Sequence, residues 1–295
     1  MSARDEQPGS HQEPSSAAQP RPPDVWADGA AYEAYVGRWS RLVAREFLSW
    51  LAIGPRGQWL EVGCGTGVLT QTILQNAQPA SLVAIDRSPD YVAFAREQVS
   101  DARARFDVGD VHTLPVDTAT CDCVVSGLVL NFLAQPDRAL RQMTRVARDG
   151  ATVAAYVWDY AGRMQLMRHF WNAAAALNPP AADLDEGRRF PLCQPQALAD
   201  LFRAAGLSGV EVRAIDIATD FHDFEDYWSP FLGGQGPAPS YAMSLSEERR
   251  LALRERLRQS LPFALDGSIP LSARAWAVRG LHLLARDRPN PRPTS

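Results

Sequence analysis

A short glycine-rich segment constrains this 295-residue chain more than any other feature. Residues 58–62 read as a buried strand, which leads through Gly63-Cys64-Gly65-Thr66-Gly67 into a predicted helix starting at Val68. Alternating glycines let the backbone turn tightly and approach a ligand, since no Cβ stands in the way. A strand that runs through such a loop into a helix is typical of a nucleotide-type binding site.

The residues around this loop separate three kinds of ligand. A P-loop needs a lysine for the phosphates, but all 30 basic residues of this chain are arginines. A dinucleotide loop carries its third glycine at the sixth position, where this chain has Val68. Glu61 would also disfavour a pyrophosphate, because the amides of a helix N-terminus favour anions. S-adenosylmethionine fits best, since it combines an adenosine with positive charge and no phosphate.

Length and charge limit the classes of protein to which the chain can belong. A chain of 295 residues can bury one α/β core and still carry insertions. The formal net charge of −4 provides no basic field, so we expect no nucleic-acid partner. The sequence contains no apolar run of the roughly 18 residues that indicate a membrane span.

Both ends of the chain read as disordered segments around one domain. Residues 1–24 are rich in Pro, Ser, Gln and Glu and lack the apolar region of a signal peptide, which predicts a disordered leader and a cytoplasmic protein. Residues 286–295 read as a similar tail, which leaves a domain over 25–285. The four scattered cysteines favour reduced thiols over a disulfide framework or a zinc site, and we expect no metal.

Between residues 57 and 157, apolar runs alternate with amphipathic stretches, which predicts repeated βα units and a parallel sheet. Two irregular insertions follow at about 160–192 and 222–262. We expect them to form a cap over the carboxyl edge of the sheet, where a substrate pocket belongs. The predicted strands span residues 58–62, 81–85, 104–108, 122–126, 151–157, 211–217 and 268–280.

Acidic residues stand at the ends of two further predicted strands. Asp86 can accept hydrogen bonds from both ribose hydroxyls of a nucleoside, although it can also belong to the cap of the helix at Ser88-Pro89. Asp110 can accept a hydrogen bond from the adenine amino group, and the Val111 amide can donate one to a ring nitrogen. The alternative is that both belong to an ordinary polar turn. Arg87 either lies along the adenine face or is solvated.

These residues together resemble the class I S-adenosylmethionine-dependent methyltransferases, specifically the small-molecule branch near the ubiquinone and menaquinone methyltransferases. Residues 61–67 (EVGCGTG) match the first motif of that family without a gap. Residues 83–86 (VAID), 109–111 (GDV) and 121–132 (CDCVVSGLVLNF) are similar to later motifs. The resemblance covers about residues 30–157. It implies a Rossmann-like α/β fold with helices on both faces of a seven-stranded, mostly parallel sheet whose last strand is antiparallel.

The resemblance also implies roles for individual residues. Arg38, in an N-terminal helical region that closes over the cofactor, would pair with the cofactor carboxylate; the alternative is a surface arginine. Ser126 would lie beside the methionine moiety, and Asn131 stands where the family often has an aromatic residue or histidine. The predicted cofactor-binding residues are Arg38, Glu61, Gly63, Gly65, Gly67, Asp86, Arg87, Asp110, Val111 and Ser126.

Methyl transfer from a sulfonium depends largely on alignment, so a dedicated catalytic side chain is needed only if the acceptor must lose a proton. Asp159 and His169 are the candidate bases for that step, ahead of His112 and His222, and each can instead be a structural group. The predicted function is methyl transfer from S-adenosylmethionine to a small-molecule acceptor. A non-catalytic cofactor-binding sensor or partner protein, and a methyltransferase acting on RNA or protein, remain alternatives.

Overall fold

The computed structural model of the protein describes residues 33–234 and 236–284. The predicted leader (1–24), the first residues of the predicted domain and the predicted tail (286–295) lie outside the described residues. Within the described ranges, no helix is both long and apolar enough to cross a lipid bilayer.

The described residues form one seven-stranded sheet. Its strand order is β3-β2-β1-β4-β5-β7-β6, and β1 to β5 pair in parallel while β7 lies antiparallel between β5 and β6. The predicted fold class is thus confirmed, including the antiparallel last strand. The strands are β1 Gln58–Val62, β2 Ser81–Asp86, β3 Ala104–Val108, β4 Cys121–Gly127, β5 Ala147–Trp158, β6 Ser208–Ala218 and β7 Ser272–Leu281.

Several strand boundaries differ from the predicted ones, and the two largest differences are of four residues each. Strand β5 begins at Ala147 rather than at residue 151, since Ala147 already pairs with Cys121 before an irregularity that contains Gly150 at φ +78°. Strand β7 begins at Ser272 rather than at residue 268, where only an isolated bridge joins Ile269 to Phe221. Both differences lie where a turn or bulge interrupts pairing, which apolar periodicity alone does not locate.

Helices cover the sheet and build the insertions. Ser88 caps one of them, since its hydroxyl accepts from the Tyr91 amide, and Pro89 occupies the first helical position. The helices are α1 Arg38–Leu51, α2 Val68–Asn76, α3 Pro89–Gln98, α4 Pro136–Val146, α5 Gln165–Leu177, α6 Glu186–Arg189, α7 Pro195–Ala204, α8 Phe224–Trp228, α9 Pro237–Ser244 and α10 Glu247–Ser260.

The two insertions follow strands that end at the same edge of the sheet. The first insertion follows β5 and the second follows β6, which runs in the direction of β5 because both are antiparallel to β7. The insertions also pack on each other: the rings of Phe170 and Phe231 stack with centroids 4.5 Å apart, and the Tyr227 hydroxyl donates to the Leu166 carbonyl at 2.9 Å. They form one helical layer beside the carboxyl edge.

Candidate functional site

A cavity of about 370 Å³ lies at the carboxyl edge of the sheet. This volume is within the range of small-molecule sites, which hold ligands in clefts of about 300–1,000 Å³. The ends of β1, β2, β4 and β5 contribute to its walls, as do the loops that follow them. Seven predicted cofactor residues line it: Glu61, Gly63, Gly65, Asp86, Arg87, Asp110 and Val111.

The glycines of the first loop serve different geometric needs. Gly63 has φ +76°, and a Cβ there would lie 2.4 Å from Cγ2 of Val129. Gly65 has φ +50° and open space where its Cβ would stand, so its backbone faces the cavity unobstructed. Gly67, at φ +85°, is the N-cap of α2 and does not line the cavity. The loop thus combines left-handed turns with one approach shorter than 3 Å, at Gly63.

Asp86 fixes the glycine loop while facing the cavity. Its Oδ2 accepts from the Gly65 amide at 2.9 Å, and its Oδ1 accepts from the Ser88 amide at 2.9 Å. A carboxylate offers about four lone-pair positions, so acceptor capacity remains on both oxygens. The predicted ribose acceptor is therefore held in place by its own backbone contacts before any ligand binds.

Glu61 is a buried acid at the base of the loop. Burial raises the pKa of Glu61 to about 8, and the nearby Asp86 raises it too, whereas a hydrogen bond from the Thr70 hydroxyl lowers it. The carboxyl is therefore mainly protonated at neutral pH. A neutral Glu61 leaves Asp86 as the principal negative charge of this part of the cavity.

Asp110 and His112 form a pair at the end of β3. The Asp110 Oδ1 accepts from the His112 backbone amide and lies 2.8 Å from its Nδ1. These contacts, with the backbone bond first, lower the pKa of Asp110. Both residues and the intervening Val111 line the cavity, and Asp110 keeps its second oxygen for a ligand.

Arg38 does not line this cavity in the described structure. Its Nη1 donates to Oδ1 of Asp226 in the second insertion at 2.7 Å. Its guanidinium also lies over the rings of Trp39 and Phe221, 4.5 and 4.9 Å from their centroids. In this structure, Arg38 therefore joins α1 to the second insertion.

Ser126 does not line the cavity and contributes to the site through a hydrogen bond to Val62. It is fully buried within β4, and its hydroxyl donates to the Val62 carbonyl at 2.8 Å, next to the start of the glycine loop. The neighbouring Gly127 lines the cavity instead. Ser126 thus ties the end of β4 to the end of β1.

The two candidate bases lie outside the cavity lining of the described residues. The Asp159 carboxylate accepts from the amides of Gly162 and Arg163 at 3.0 Å each, so it shapes the turn that follows β5. His169 is half-buried on α5, and burial lowers its pKa, which favours the neutral imidazole.

An aromatic wall lines the cavity beside β4 and β5, which lie on the opposite side of β1 from β2 and β3. We use this name for Phe132, Tyr156, Trp158 and Tyr160, all of which line the cavity. Tyr156 and Trp158 project from the same face of β5, as alternate residues of a strand do, and Tyr160 follows two residues later. This spacing is visible in the sequence, but which face meets a ligand depends on the sheet neighbours.

Comparison with known proteins identifies the family. Residues 60–155 match the family described as "Methyltransferase domain". A demethylmenaquinone methyltransferase of Roseiflexus sp. (strain RS-1) is 30% identical over 177 residues, which cover 55% of this chain and 72% of that relative. The chain belongs to the class I S-adenosylmethionine-dependent methyltransferases. Its cofactor is S-adenosylmethionine.

Other relatives of this methyltransferase differ in how much of their length it covers. A malonyl-[acyl-carrier protein] O-methyltransferase of Herminiimonas arsenicoxydans is 26% identical, with 82% of this chain and 88% of the relative aligned. The chain spans only 28% of a protein of transposon TN4556 from Streptomyces fradiae, at 34% identity. Phosphoethanolamine N-methyltransferase 2 of Haemonchus contortus, solved with S-adenosyl-L-methionine, shares the fold with a TM-score of 0.55 and 14% identity, over 87% of this chain and 57% of that chain.

Proposed function

We propose that this methyltransferase acts on a small molecule by in-line displacement, with cofactor and acceptor meeting in the 370 Å³ cavity. One observation carries the proposal. The glycine loop and the acids Glu61, Asp86 and Asp110 line the same cavity as the aromatic wall. A polar adenosine and an apolar acceptor would therefore each have a matching surface within one cavity.

The polar end fits S-adenosylmethionine. Asp86 would accept from the ribose hydroxyls, since both its oxygens keep lone pairs beyond their backbone bonds. Asp110, the Val111 amide and Arg87 would hold the adenine. The exposed backbone of Gly65 would receive the methionine part, beside Gly63 and Glu61. Ser126 would act there indirectly, through its bond to Val62.

The predicted contact of Arg38 with the cofactor carboxylate stays a prediction. Arg38 would need to leave Asp226, to which it is bonded at 2.7 Å. Such an exchange would couple cofactor binding to the second insertion, because Asp226 lies on α8 of that insertion.

Methyl transfer from a sulfonium needs the acceptor atom, the methyl carbon and the sulfur in line, and alignment alone can supply much of the rate enhancement. The side chains of this protein would provide that alignment by enclosing the acceptor between the aromatic wall and the loop. Water would be excluded by the same apolar surfaces, Val129 and Leu133 among them.

The acceptors named for the two relatives, demethylmenaquinone and malonyl-[acyl-carrier protein], differ in chemistry. An apolar ring system is supported by the aromatic wall. A carboxylate acceptor would need a positively charged side chain beside it. The arginine and histidine among the described lining residues are Arg87 and His112, which follow β2 and β3 at the adenosine end of the cavity. We therefore propose an aromatic or quinol-like acceptor.

Calorimetric titration tests the cofactor part of this function. We expect S-adenosylhomocysteine to bind and NADH not to bind. Asp86→Ala should raise the dissociation constant roughly 10- to 100-fold, because hydrogen bonds to a charged group contribute about 1.5–3 kcal/mol. Asp90→Asn, an exposed acid in the first turn of α3, is the matched control and should leave the affinity unchanged. An unaltered affinity for Asp86→Ala would contradict the ribose role.

A further inference from the structure

One edge of the sheet is a long strand that is paired on one side only. Strand β6 is the last in the strand order, and its neighbour is β7. Among the described residues, no backbone hydrogen bond joins residues 210–217 to a segment other than β7. A strand in this position presents a row of N–H and C=O groups along its outer side, and another strand can pair with that row.

The outer side of β6 is regular over most of its length. Proteins often protect a sheet edge by a very short strand, a proline or a bulge. Strand β6 spans 11 residues and contains no proline. Its irregularity lies near its start, between Ser208 and Glu211, where Gly209 has φ +59°. Residues 210–217 are therefore long and regular enough to accept a second strand.

The two edges of the sheet differ in length and in how their charges are used. Strand β3, at the other edge, has only five residues, and its Arg105 is bonded to Asp107 of the same strand at 2.9 Å. On β6, Arg213 is exposed and makes no ion pair with the described residues. Glu211 is 58% exposed and bonded through Oε2 to Arg279 at 3.0 Å, which leaves Oε1 for another donor. Charges that can pair with a partner are thus left on β6.

The order of these charges is complementary to itself. Glu211 and Arg213 project from one face of β6, since they are two residues apart. In a two-fold dimer, the same patch of both copies meets, so that one residue contacts a second and the second contacts the first. If two β6 strands lie antiparallel with Val212 at the axis, Glu211 of each copy stands opposite Arg213 of the other. The Cβ atoms of directly opposite residues are about 4.5–5.5 Å apart, close enough for an ion pair.

The charges also select this register over its neighbours. An axis at Glu211 or at Arg213 would place that residue opposite its own copy, and like charges directly opposite each other are destabilising. With the axis at Val212, the other face brings Val210 opposite Ala214 and Val212 opposite itself. All three side chains are half-buried in the single chain. Pairing would remove more of their apolar surface from water.

We propose that β6 pairs antiparallel with β6 of a second copy of this chain, about a two-fold axis at Val212, so that two seven-stranded sheets join into one. This goes beyond the proposed function and does not depend on it, because none of the described residues that line the cavity belongs to β6. The contact is small, since five residues of each strand carry it. A dimer dissociation constant of micromolar order is therefore expected.

Sedimentation of the full chain tests whether the dimer exists. We expect a reversible equilibrium between monomer and dimer as the concentration rises to about 0.1 mM. A protein that stays monomeric over this whole range would overturn the proposal.

Charge reversal tests which surface forms the dimer. Arg213→Glu places an acid opposite Glu211 of the second copy and should raise the dimer dissociation constant roughly 10- to 100-fold. Glu211→Arg should also raise it. The double variant Glu211→Arg/Arg213→Glu restores opposite charges across the axis and should dimerise at least about 5-fold more tightly than either single variant. Arg105→Glu makes the same charge change on the other edge strand, β3, and should match the wild type.

A cysteine at the axis tests the register. Val212→Cys should form a covalent dimer with oxidised glutathione, because opposite Cα atoms of antiparallel strands are about 4.5–5.5 Å apart, within the range of a disulfide. The four native cysteines are buried and should not compete. Ala214→Cys, on the same face and also half-buried, is the matched control. Its two copies would be about 13 Å apart along the strands and should not cross-link.

Two further outcomes would overturn the proposal. If the wild type is a dimer and Arg213→Glu leaves its dissociation constant unchanged, the contact lies on another surface. If Ala214→Cys cross-links as readily as Val212→Cys, the strands do not pair about Val212. Affinity for S-adenosylhomocysteine should stay at the wild-type value in every variant, which confirms that each has folded.

Discussion

The two ends of the cavity are built in different ways. At the cofactor end, Glu61, Asp86 and Asp110 each already have a hydrogen-bond partner, and those partners lie within about two dozen residues along the chain. At the acceptor end, the wall consists of aromatic side chains at residue 132 and within residues 156–160, and the buried Nε1 of Trp158 has no hydrogen-bond partner in the described structure. The polar groups of the cofactor end are held in place by short-range hydrogen bonds, whereas the acceptor end is formed by aromatic rings.

The largest expected effect concerns Gly63. It tests whether the side chain of Val129, and not only the left-handed backbone, makes glycine necessary at this position. Gly63→Ala combines a left-handed backbone with a Cβ 2.4 Å from Val129, so it should lower the free energy of unfolding by about 2–5 kcal/mol. Gly150→Ala has a similar φ of +78° and open space around the Cβ, and should lose about 1–2 kcal/mol. Chemical denaturation measures both values. Equal losses would show that the contact with Val129 is unimportant.

The second test concerns the protonation of the cofactor end. Glu61 keeps its proton to about pH 8 in the folded protein but loses it near 4.5 when unfolded, so ionisation opposes folding between these values. The free energy of unfolding should therefore fall with rising pH in this window, by on the order of 1 kcal/mol per pH unit. Glu61→Gln should flatten this slope, while the buried acid Glu186, whose pKa burial raises to about 7, keeps its own contribution of the same sign below that pH. An unchanged slope in urea titrations at several pH values would contradict the account.

The smallest effect separates a structural Arg38 from a cofactor-binding one. Arg38→Ala removes an ion pair whose side chains are 32% and 30% exposed, so we expect a loss of only about 1 kcal/mol in stability. If Arg38 only joins α1 to the second insertion, Asp226→Ala should behave alike, and both variants should bind S-adenosylhomocysteine as the wild type does. A weaker affinity for Arg38→Ala alone would instead support the predicted contact with the cofactor carboxylate.

The sequence predicts features that depend on neighbouring residues better than it predicts contacts between distant ones. All seven strands were predicted, because buried parallel strands are continuous apolar runs and their turns carry clear glycine and proline signals. Asp86 and Asp110 could be placed at the cavity because each directly follows or ends a strand at a known edge. The position of Arg38 beside Asp226 could not be predicted, since 188 residues separate the partners.

The buried acid Glu186 gave no signal in the sequence. It lies in the four-residue helix α6 of an irregular insertion, where no apolar periodicity indicates which side chains are buried. Its environment depends on Trp171 and Tyr35, which reach it through tertiary packing. The acids of the cofactor end, by contrast, lie on regular strands or shortly after them.

A crystal structure with S-adenosylhomocysteine tests the central claim most directly, because it shows both ends of the cavity at once. The account predicts ribose hydroxyls within hydrogen-bond distance of the Asp86 carboxylate, adenine beside Asp110, and the sulfur facing the aromatic wall. Binding outside this cavity, or with the sulfur turned away from Tyr156 and Tyr160, would contradict it.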